Sequence, residues 1–331
     1  MGNDNRFSLG FPVATQNVVV PPARASLFLT LTVKEGKEKF AREVLAGVSD
    51  LEKSVTFRNP PPEMQVNVGI GSDLWDRMIC DCPRPQALTP FEPVQGAKHV
   101  APATAGDLLI HVRAEQIDQA FEFSRLLLEQ FADSVEVVDE VHGFKFFDNR
   151  DLLGFGDGSA NPTQDDAVKA ALVTEEQDRD FAGSSYVFVQ KYLHNMETWQ
   201  ALSVEEQEKV IGRYKLNDVE VPDSAKPTNS HVALNTITDN DGNEHDILRD
   251  NMPFGRLGSK EFGTYFIGYT SEPWVIELML HHMFVGKPEG NHDRILDYST
   301  PHTGGKFFVP TKVFLDGIDD LPFPGEVGSG S

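Results

Sequence analysis

The sequence predicts an α+β protein made of two similar modules, each with helices on one side of a sheet. In the first half the predicted elements run strand, helix, strand, then strand, helix, strand, and the second half has a similar order. An acidic stretch over residues 163–180 separates the halves. Because each sheet must bury an apolar face, we expect the two sheets to pack face to face around a common core.

The first module alternates strands with amphipathic helices. Residues 25–33 (ASLFLTLTV) alternate and are rich in branched and aromatic side chains, which is typical of a strand. Residues 35–48 place Phe40 and Val44 at helical spacing, and residues 116–131 form a longer apolar stripe. The remaining predicted elements are strands 64–70, 107–112 and 134–147 and a short helix 73–79.

The second module repeats this alternation with less regular strands. Its predicted elements are strands 185–193, 247–248, 264–268 and 306–309, helices 204–212 and 273–284, and a short helix that begins at 293–296. The chain is therefore divided into four parts. These are an irregular N-terminal arm 1–24, a first module 25–162, a second module 163–324 and a disordered tail 325–331.

Composition excludes several function classes. The chain has 331 residues, with 51 acidic against 29 basic side chains and a net charge of −22, which disfavours binding to nucleic acid or anionic membranes. No apolar run is long enough to span a membrane, and residues 1–16 lack a signal-peptide core. Cys80 and Cys82 are too close for a structural disulfide and too few for a zinc site. We expect a protein of a reducing, cytoplasmic compartment.

One glycine-rich stretch, Gly-Phe-Gly-Asp-Gly-Ser-Ala-Asn-Pro at residues 154–162, is the first candidate for a site. Gly156 and Gly158 flank Asp157, so a large group is able to approach that carboxylate closely. The same residues are also ordinary turn signals, and a tight surface turn is the alternative.

Three later segments carry further candidates. His231 follows a proline-rich loop, and Arg249 precedes a Pro-Phe-Gly turn. Asp293 and Asp297 lie four residues apart, on one face if that segment is helical. Taken singly, the histidine suits a core or surface position, and the arginine suits pairing with one of the many carboxylates.

Together these motifs resemble the dye-decolorizing peroxidase family of haem proteins. The Phe-Xaa-Asp-Gly core of the glycine-rich stretch is followed by Ser-His-Val at 230–232 and by Leu-Arg-Asp-Asn-Met-Pro-Phe-Gly at 248–255. The resemblance covers about residues 25–310 and is closest to the shorter bacterial members. It implies a dimeric α+β barrel, in which duplicated ferredoxin-like modules pack antiparallel sheets around a haem pocket. It also implies one haem b per chain.

The resemblance assigns a role to each candidate. His231 matches the proximal ligand of the haem iron, oriented by Asp293 or else by Asp297. Asp157 and Arg249 match a distal pair that moves a proton and stabilises negative charge. Further expected roles are peroxide or water positioning by Asn251, close backbone approach to the porphyrin at Gly156 and Gly158, and propionate binding by Arg213.

A pH dependence follows from the distal pair. Arg249 beside Asp157 is expected to lower the pKa of that carboxyl. The carboxylate is then a useful base only in acid, so the sequence predicts a mildly acidic optimum.

The expected function is reduction of hydrogen peroxide with one-electron oxidation of aromatic or dye-like reductants. Candidate relay residues, which also suit core positions, are Tyr192, Trp199, Tyr265 and Trp274. The acidic charge favours Mn²⁺ as a further partner, with Glu244 or Glu220 as ligands, and the resemblance implies a homo-oligomer.

Two other classes of function remain as alternatives to the enzyme. A haem carrier, or a protein that releases iron from haem, needs His231 but not both distal groups. A cofactor-free interaction module needs none of these residues.

Overall fold

The computed structural model describes residues 14–57, 64–79 and 83–324. Four expectations lie partly or wholly outside these ranges: the pairing state of Cys80 and Cys82, the first part of the N-terminal arm, the absence of a leader over residues 1–16, and the tail 325–331. Within the described ranges, no helix is both long enough and apolar enough to cross a membrane.

The described part of the chain contains fourteen strands and ten α-helices. The strands are β1 Ala25–Val33, β2 Met64–Gly71, β3 Val94–Gln95, β4 Val100–Ala101, β5 Leu108–Ala114, β6 Val135–Phe144, β7 Ser185–His194, β8 Ile237–Thr238, β9 Glu244–His245, β10 Leu248–Arg249, β11 Met252–Arg256, β12 Glu261–Thr270, β13 Ser299–Pro301 and β14 Gly305–Val309. The α-helices are α1 Glu38–Ala46, α2 Val48–Thr56, α3 Ser72–Met78, α4 Ile117–Phe131, α5 Gln164–Ala171, α6 Met196–Gln200, α7 Val204–Ile211, α8 His231–Asn235, α9 Pro273–Phe284 and α10 Lys312–Asp316. Short 3₁₀ turns cover Arg179–Phe181, Arg294–Asp297 and Ile318–Asp320.

Both halves of the chain have the same strand order. The first half forms the order β2-β5-β1-β6, and the second half forms β14-β7-β12 with β10 and β11 on the outer side of β12. We number the main strands 1 to 4 in chain order within each half and count β10 and β11 together as strand 2 of the second half. Read from β2 in the first half and from β10 in the second, both halves then have the strand order 2-3-1-4. The strand pairs within both halves are antiparallel. This duplication confirms the predicted α+β class.

The two predicted sheets join edge to edge into one ten-stranded sheet. Phe307 and Phe308 of β14 pair with Gly71 and Ile70 of β2 across the boundary. A side chain at Gly69 of β2 would lie 2.8 Å from the Cβ of Phe307, so this glycine is needed where the two halves meet. The contact between halves is therefore both a backbone ladder and a close packing of side chains.

The joined sheet curls, so that strands far apart in its order meet. The ring of Phe28 on β1 stacks 4.1 Å from the ring of Tyr265 on β12 and 4.7 Å from that of His111. At the outer edges, a Cβ added to Gly143 of β6 would lie 2.4 Å from the Cβ of Met252 on β11. The inner face of the sheet therefore forms the expected common core.

Helices cover the outer face of the sheet. Strand β1 is buried on both sides, because Leu27, Leu29 and Leu31 pack against the helices while Phe28 points into the inner core. The strand predicted over residues 25–33 from alternation and from branched and aromatic side chains is confirmed, although both of its faces are buried.

Several short elements were not predicted, namely β3, β4, β8, β9, β13, α6, α8 and α10, and four further differences have an identifiable cause. The helix expected over 35–48 is two helices that meet at Gly47, and only the first was predicted. The acidic stretch after residue 163 contains α5, whose Asp165 and Asp166 lie in its first turn, where the helix dipole favours negative charge. Strand β11 was missed because Pro253 and Gly255 lie within it. The helix expected to begin at 293–296 is a short 3₁₀ turn.

Truncation of the ring that joins the two halves is expected to destabilise the protein. Phe28→Ala removes a fully buried ring that contacts Tyr265, so we expect a loss of about 3–5 kcal/mol in the free energy of unfolding. Phe121→Ala on α4, where the side chain is half exposed, is the control and should change it by about 0.5 kcal/mol or less. Urea unfolding curves measure both, and equal losses would contradict the packing described here.

Candidate active site

A deep cavity opens beside the glycine-rich loop, between that loop and the helices α8 and α9. Its empty space is about 1560 Å³, part of it open to solvent. The lining is apolar on the α9 side, with Ile276, Met279, Leu280 and Met283. Seven of the eight predicted site residues line the same cavity, and only Asp293 does not. The seven are Gly156, Asp157, Gly158, Arg213, His231, Arg249 and Asn251.

One wall of the cavity carries His231 at the start of α8. The hydroxyl of Ser230 caps this helix by accepting from the backbone N–H of Ala233. Nδ1 of His231 donates to Oδ2 of Asp293 over 2.7 Å, and Asp293 is fully buried. The amide of Asn235, one turn further along, donates to the same oxygen over 3.3 Å and to the carbonyl of His231. The imidazole is therefore fixed with its Nε2 left for another ligand.

Of the two carboxylates considered for orienting His231, the structure brings Asp293 to it. Asp293 begins the 3₁₀ turn Arg294–Asp297, where its Oδ1 accepts from the N–H of Ile295. Its other oxygen is thus turned toward the histidine. Asp297 lies at the end of that turn and contacts Lys98, His99 and His292 instead.

The cavity lining also includes Asp157, Arg249 and Asn251. Nδ2 of Asn251 donates to Oδ1 of Asp157 over 3.1 Å, and Oδ1 of Asn251 accepts from the N–H of Ile267 on β12. The bond to Ile267 fixes which end of the amide faces the carboxylate. Arg249 and Asn251 lie two residues apart in extended backbone and both face the cavity, as expected.

Arg249 is held by Asn161 rather than by Asp157. The Asn161 amide donates to the carbonyl of Arg249 over 2.6 Å, and its oxygen accepts from the backbone N–H over 3.1 Å and from Nε over 3.4 Å. Within the described ranges, Arg249 and Asp157 form no ion pair within 4 Å. The guanidinium is therefore positioned beside the carboxylate without being bonded to it.

The expected lowering of the pKa of Asp157 is wrong. Burial raises the pKa of this carboxyl above its ordinary value, and this outweighs the lowering by Arg249 and by the hydrogen bond from Asn251. Burial likewise lowers the pKa of the Arg249 guanidinium. The opposite charges are not in contact, so desolvation dominates. A lowered pKa of Asp157 therefore gives no reason to expect an acidic pH optimum for activity.

The segment that carries Arg249 and Asn251 is anchored to the first half of the chain by a buried ion pair. Asp250 lies between them, and its Oδ2 accepts from Nη1 of Arg113 on β5 over 3.1 Å. Both side chains are more than nine-tenths buried. Burial raises the pKa of Asp250, while Arg113 opposes that shift. His111 completes the cluster, 3.7 Å from Asp250, with Nδ1 2.8 Å from the hydroxyl of Tyr269.

Gly156 and Gly158 are needed for the packing of the glycine-rich loop itself, and both also line the cavity. Gly158 has φ +78°, a conformation that side chains rarely adopt. A Cβ at Gly156 would lie 2.8 Å from the carboxyl carbon of Asp218, so this glycine also makes room for a protein neighbour. Arg213 donates to the carbonyl of Asp218 over 2.8 Å and lies 3.6 Å from the carboxylates of both Asp218 and Glu220.

Sequence reasoning missed several residues of the cavity. Asn235 follows His231 by four residues on one helix, a spacing that would have revealed it. Asn161 belongs to a turn motif, which gives no sign in the sequence of its contact with Arg249. Asp151, also on the cavity wall, has its pKa raised to about 7, chiefly by burial. The partnership of Arg113 with Asp250 joins residues 137 positions apart and had no sequence signal.

The cavity fits a flat, largely apolar prosthetic group with acidic substituents. The described hydrogen bonds of the His231 ring are made through Nδ1, which leaves Nε2 for a metal. Aliphatic side chains line one side, and the cation Arg213 lies on the wall where it suits a carboxylate substituent. Neutral imidazole is a ligand that iron accepts. These features fit a haem-binding α+β protein, in which one cavity holds both a histidine available to a metal and the polar side chains of Asp157, Arg249 and Asn251.

Comparison with known proteins gives the family. Residues 15–145 match the Dyp-type peroxidase N-terminal family, and residues 148–314 match the Dyp-type peroxidase C-terminal family. A dye-decolorizing peroxidase of Mycobacterium tuberculosis is 54% identical over 310 residues, which are 94% of this chain and 92% of that protein. The chain belongs to the dye-decolorizing peroxidase family.

Solved structures agree with this membership. A variant of DypB from Rhodococcus jostii RHA1 in complex with heme has a TM-score of 0.89 and 52% identity, and covers 92% of this chain and 98% of its own. A DypB variant in complex with manganese has a TM-score of 0.89 and 51% identity, and covers 93% and 98%. The duplicated fold expected from the motifs is therefore confirmed.

The buried pair behind the distal residues gives a test of stability. Arg113→Met leaves Asp250 buried and unpaired, so we expect a loss of about 3–5 kcal/mol in the free energy of unfolding. The double variant with Asp250→Asn should lose clearly less, because no charge then remains unpaired. Lys34→Ala, which removes an exposed partner of Glu136, is the control and should cost about 1 kcal/mol or less. Urea unfolding measures these three variants and the single variant Asp250→Asn. Strictly additive losses for Arg113→Met and Asp250→Asn in the double variant would contradict the pairing.

Proposed function

We propose that the protein is a haem-dependent peroxidase that reduces hydrogen peroxide and oxidises aromatic or dye-like reductants by one-electron steps. The observation that carries this proposal is the placement of His231, oriented by Asp293, in the lining of a single cavity that also includes Asp157, Arg249 and Asn251. Haem b, one per chain, would supply the iron at which peroxide is cleaved.

His231 holds the haem iron through Nε2 in this proposal. Its Nδ1 proton is donated to Asp293, which keeps the ring in one tautomer and raises its basicity. Asn235 shares the same carboxylate oxygen and limits its movement. Arg213 binds a propionate, and the backbone at Gly156 and Gly158 lies along the cavity wall.

Asp157 carries the proton on the distal side. Its carboxylate accepts a proton from hydrogen peroxide and returns it to the oxygen that leaves as water. Asn251 donates to Oδ1 of that carboxylate and fixes its orientation. Arg249, positioned by Asn161, stabilises the negative charge that develops on the leaving oxygen. Neither charge is neutralised by the other, so both remain available.

The same residues favour the enzyme over a haem carrier. A carrier needs His231 and an apolar cavity, but it has no use for a partly buried carboxylate and guanidinium that are held by separate amides. Burying such groups costs free energy, and a function that uses both accounts for their presence.

The proposal also covers the domain division, the cellular compartment and the oligomeric state of the enzyme. We divide the chain into modules 25–162 and 163–324, preceded by an arm and followed by a tail. Two cysteines among 331 residues suit a reducing, cytoplasmic compartment. Exposed Leu216 and Leu257, each with more than four-fifths of its surface accessible, suit contacts in a homo-oligomer.

Two routes for reductants meet near the cavity mouth. Trp274 is 39% exposed, and its ring lies 4.8 Å from that of His245, which lines the cavity. A bulky dye is therefore able to give an electron at Trp274 without entering. Of the other relay candidates, Trp199 and Tyr265 are fully buried.

We propose Mn²⁺ as a small reductant at the same mouth. Glu244 is exposed and lines the cavity, whereas Glu220 is already engaged by Lys226 and Arg213. Carboxylate oxygen is a ligand type that Mn²⁺ prefers. Glu244 is therefore the better ligand of the two.

Removal of the distal carboxylate tests the function. Asp157→Asn should keep the haem and its resting spectrum, while the rate of reaction with peroxide falls about 10²–10⁴-fold. Asp148→Asn, which neutralises an exposed carboxylate nine residues earlier, should leave the rate unchanged. Stopped-flow absorbance at the haem Soret band measures both.

The pH dependence of the rate of reaction with peroxide shows in which direction the pKa of Asp157 is shifted. Because burial raises the pKa of Asp157, the wild-type rate should rise with pH through a pKa above the ordinary aspartate value of about 3.9. This limb should be absent from Asp157→Asn. An equal rate in both proteins across the pH range would rule out the proton-carrier role.

The two reductant routes are separable by crossed variants. Trp274→Phe should slow steady-state oxidation of a bulky dye and leave oxidation of Mn²⁺ intact. Glu244→Gln should have the reverse effect, because it removes a charged metal ligand and leaves the indole. If both variants slow both reductants alike, the routes proposed here are not separate.

A further inference from the structure

A second group of metal-ligand side chains lies outside the cavity. His99 follows Lys98 in the turn of the hairpin β3–β4, in the first half of the chain. His292 and Asp297 come from the segment after α9 in the second half. The three side chains offer ligand atoms that all lie within 4.8 Å of one another. The lining of the haem cavity includes none of the three.

The two imidazoles converge on a single carboxylate oxygen. Nε2 of His99 lies 3.1 Å from Oδ1 of Asp297, and Nε2 of His292 lies 3.3 Å from the same atom. Nζ of Lys98 also contacts this oxygen. Three donors thus meet one oxygen, which has two lone pairs to offer. Hydrogen bonding alone therefore leaves more donors around this oxygen than it is able to accept.

These separations suit a shared metal ion. Zinc lies about 2.0–2.2 Å from histidine nitrogen and carboxylate oxygen, so ligands in a tetrahedron around it are about 3.3 Å apart. The two observed nitrogen-to-oxygen distances, 3.1 and 3.3 Å, lie close to that value. The ligand atoms of the two histidines lie within 4.8 Å of each other, so the imidazoles would move closer together as an ion replaces the protons between the ligands.

We propose that His99, His292 and Asp297 bind a divalent transition-metal ion of the zinc class. Two imidazoles and one carboxylate leave a coordination position for water. Imidazole nitrogen selects Zn²⁺, Ni²⁺ or Cu²⁺ over Mn²⁺, which prefers oxygen. The site is therefore distinct in chemistry from the manganese site at Glu244 and in position from the haem ligand His231.

The site is accessible and electrostatically suited to a cation. The side chains of His99, His292 and Asp297 are 18%, 23% and 27% exposed, so an ion reaches them from solvent while most of its surroundings are protein. Lys98 competes for the carboxylate, but its side chain is 58% exposed and able to swing away. The net charge of −22 raises the local concentration of divalent cations.

An ion here would join the hairpin to the segment that holds the proximal carboxylate. His292 precedes Asp293 directly, and Asp297 ends the 3₁₀ turn that Asp293 begins. A metal bound by both would fix the turn that also carries Asp293, the partner of His231. The proposed ion is therefore placed to hold the two halves of the chain together next to the haem ligand.

Zinc titration of the haem-loaded full chain tests the proposal. Isothermal titration calorimetry with ZnCl₂ should show one ion per chain, and MnCl₂ should bind more weakly. His99→Ala, His292→Ala and Asp297→Asn should each lower the affinity for Zn²⁺ at least about tenfold. Lys98→Met should raise that affinity, because it removes the competitor for Asp297.

Control measurements keep the outcome decisive. His142→Ala removes a histidine that pairs with Glu140 on β6 and should bind Zn²⁺ like the wild type. An unchanged Soret band shows that each variant is folded. If variants near Asp293 fail to fold, His99→Ala on the hairpin still decides. Absence of a one-to-one Zn²⁺ site in the wild type, or wild-type affinity in His99→Ala, overturns the proposal.

Discussion

The site depends on two partly buried charged side chains, Asp157 and Arg249, that do not form an ion pair with each other. Asp157 accepts from Asn251, and Arg249 is held by Asn161, so each charged group is positioned by an amide. Burial then raises the pKa of Asp157 and lowers that of Arg249. A direct ion pair would have the opposite effect on both and would tie up the carboxylate. Separate anchoring keeps a proton acceptor and a cation beside one another.

This arrangement depends on how the two halves of the chain are positioned relative to each other, because both contribute residues to it. Asp157 and Asn161 lie on a loop after the first half, and Arg249 and Asn251 lie on the edge of the second-half sheet. The carboxylate between the latter two, Asp250, is bound by Arg113 from the first half. The buried pair does not act on peroxide itself. It holds the segment with Arg249 and Asn251 against strand β5, and the inner face of this sheet forms the common core.

The sequence predicted the elements with strong periodicity and the residues with distinctive motifs. Strand β1 was predicted from its alternating pattern and its branched and aromatic side chains, and His231 and Asp157 were predicted because their neighbours match a family pattern. The pKa of Asp157 was predicted in the wrong direction, because charge sign is visible in a sequence while burial and separation are not. The choice between Asp293 and Asp297 likewise needed the 3₁₀ turn, which points one carboxylate inward and the other toward Lys98.

The most direct test of the account is the titration of the Asp157 carboxyl itself. Infrared difference spectra of the haem-loaded wild type against Asp157→Asn, recorded over a range of pH, isolate the signal of this one group. The account predicts that Asp157 holds its proton to a higher pH than an ordinary aspartate, because desolvation outweighs the unpaired Arg249. Titration at or below the ordinary value would show that the two charges pair, and would contradict the separation on which the proposed proton transfer depends.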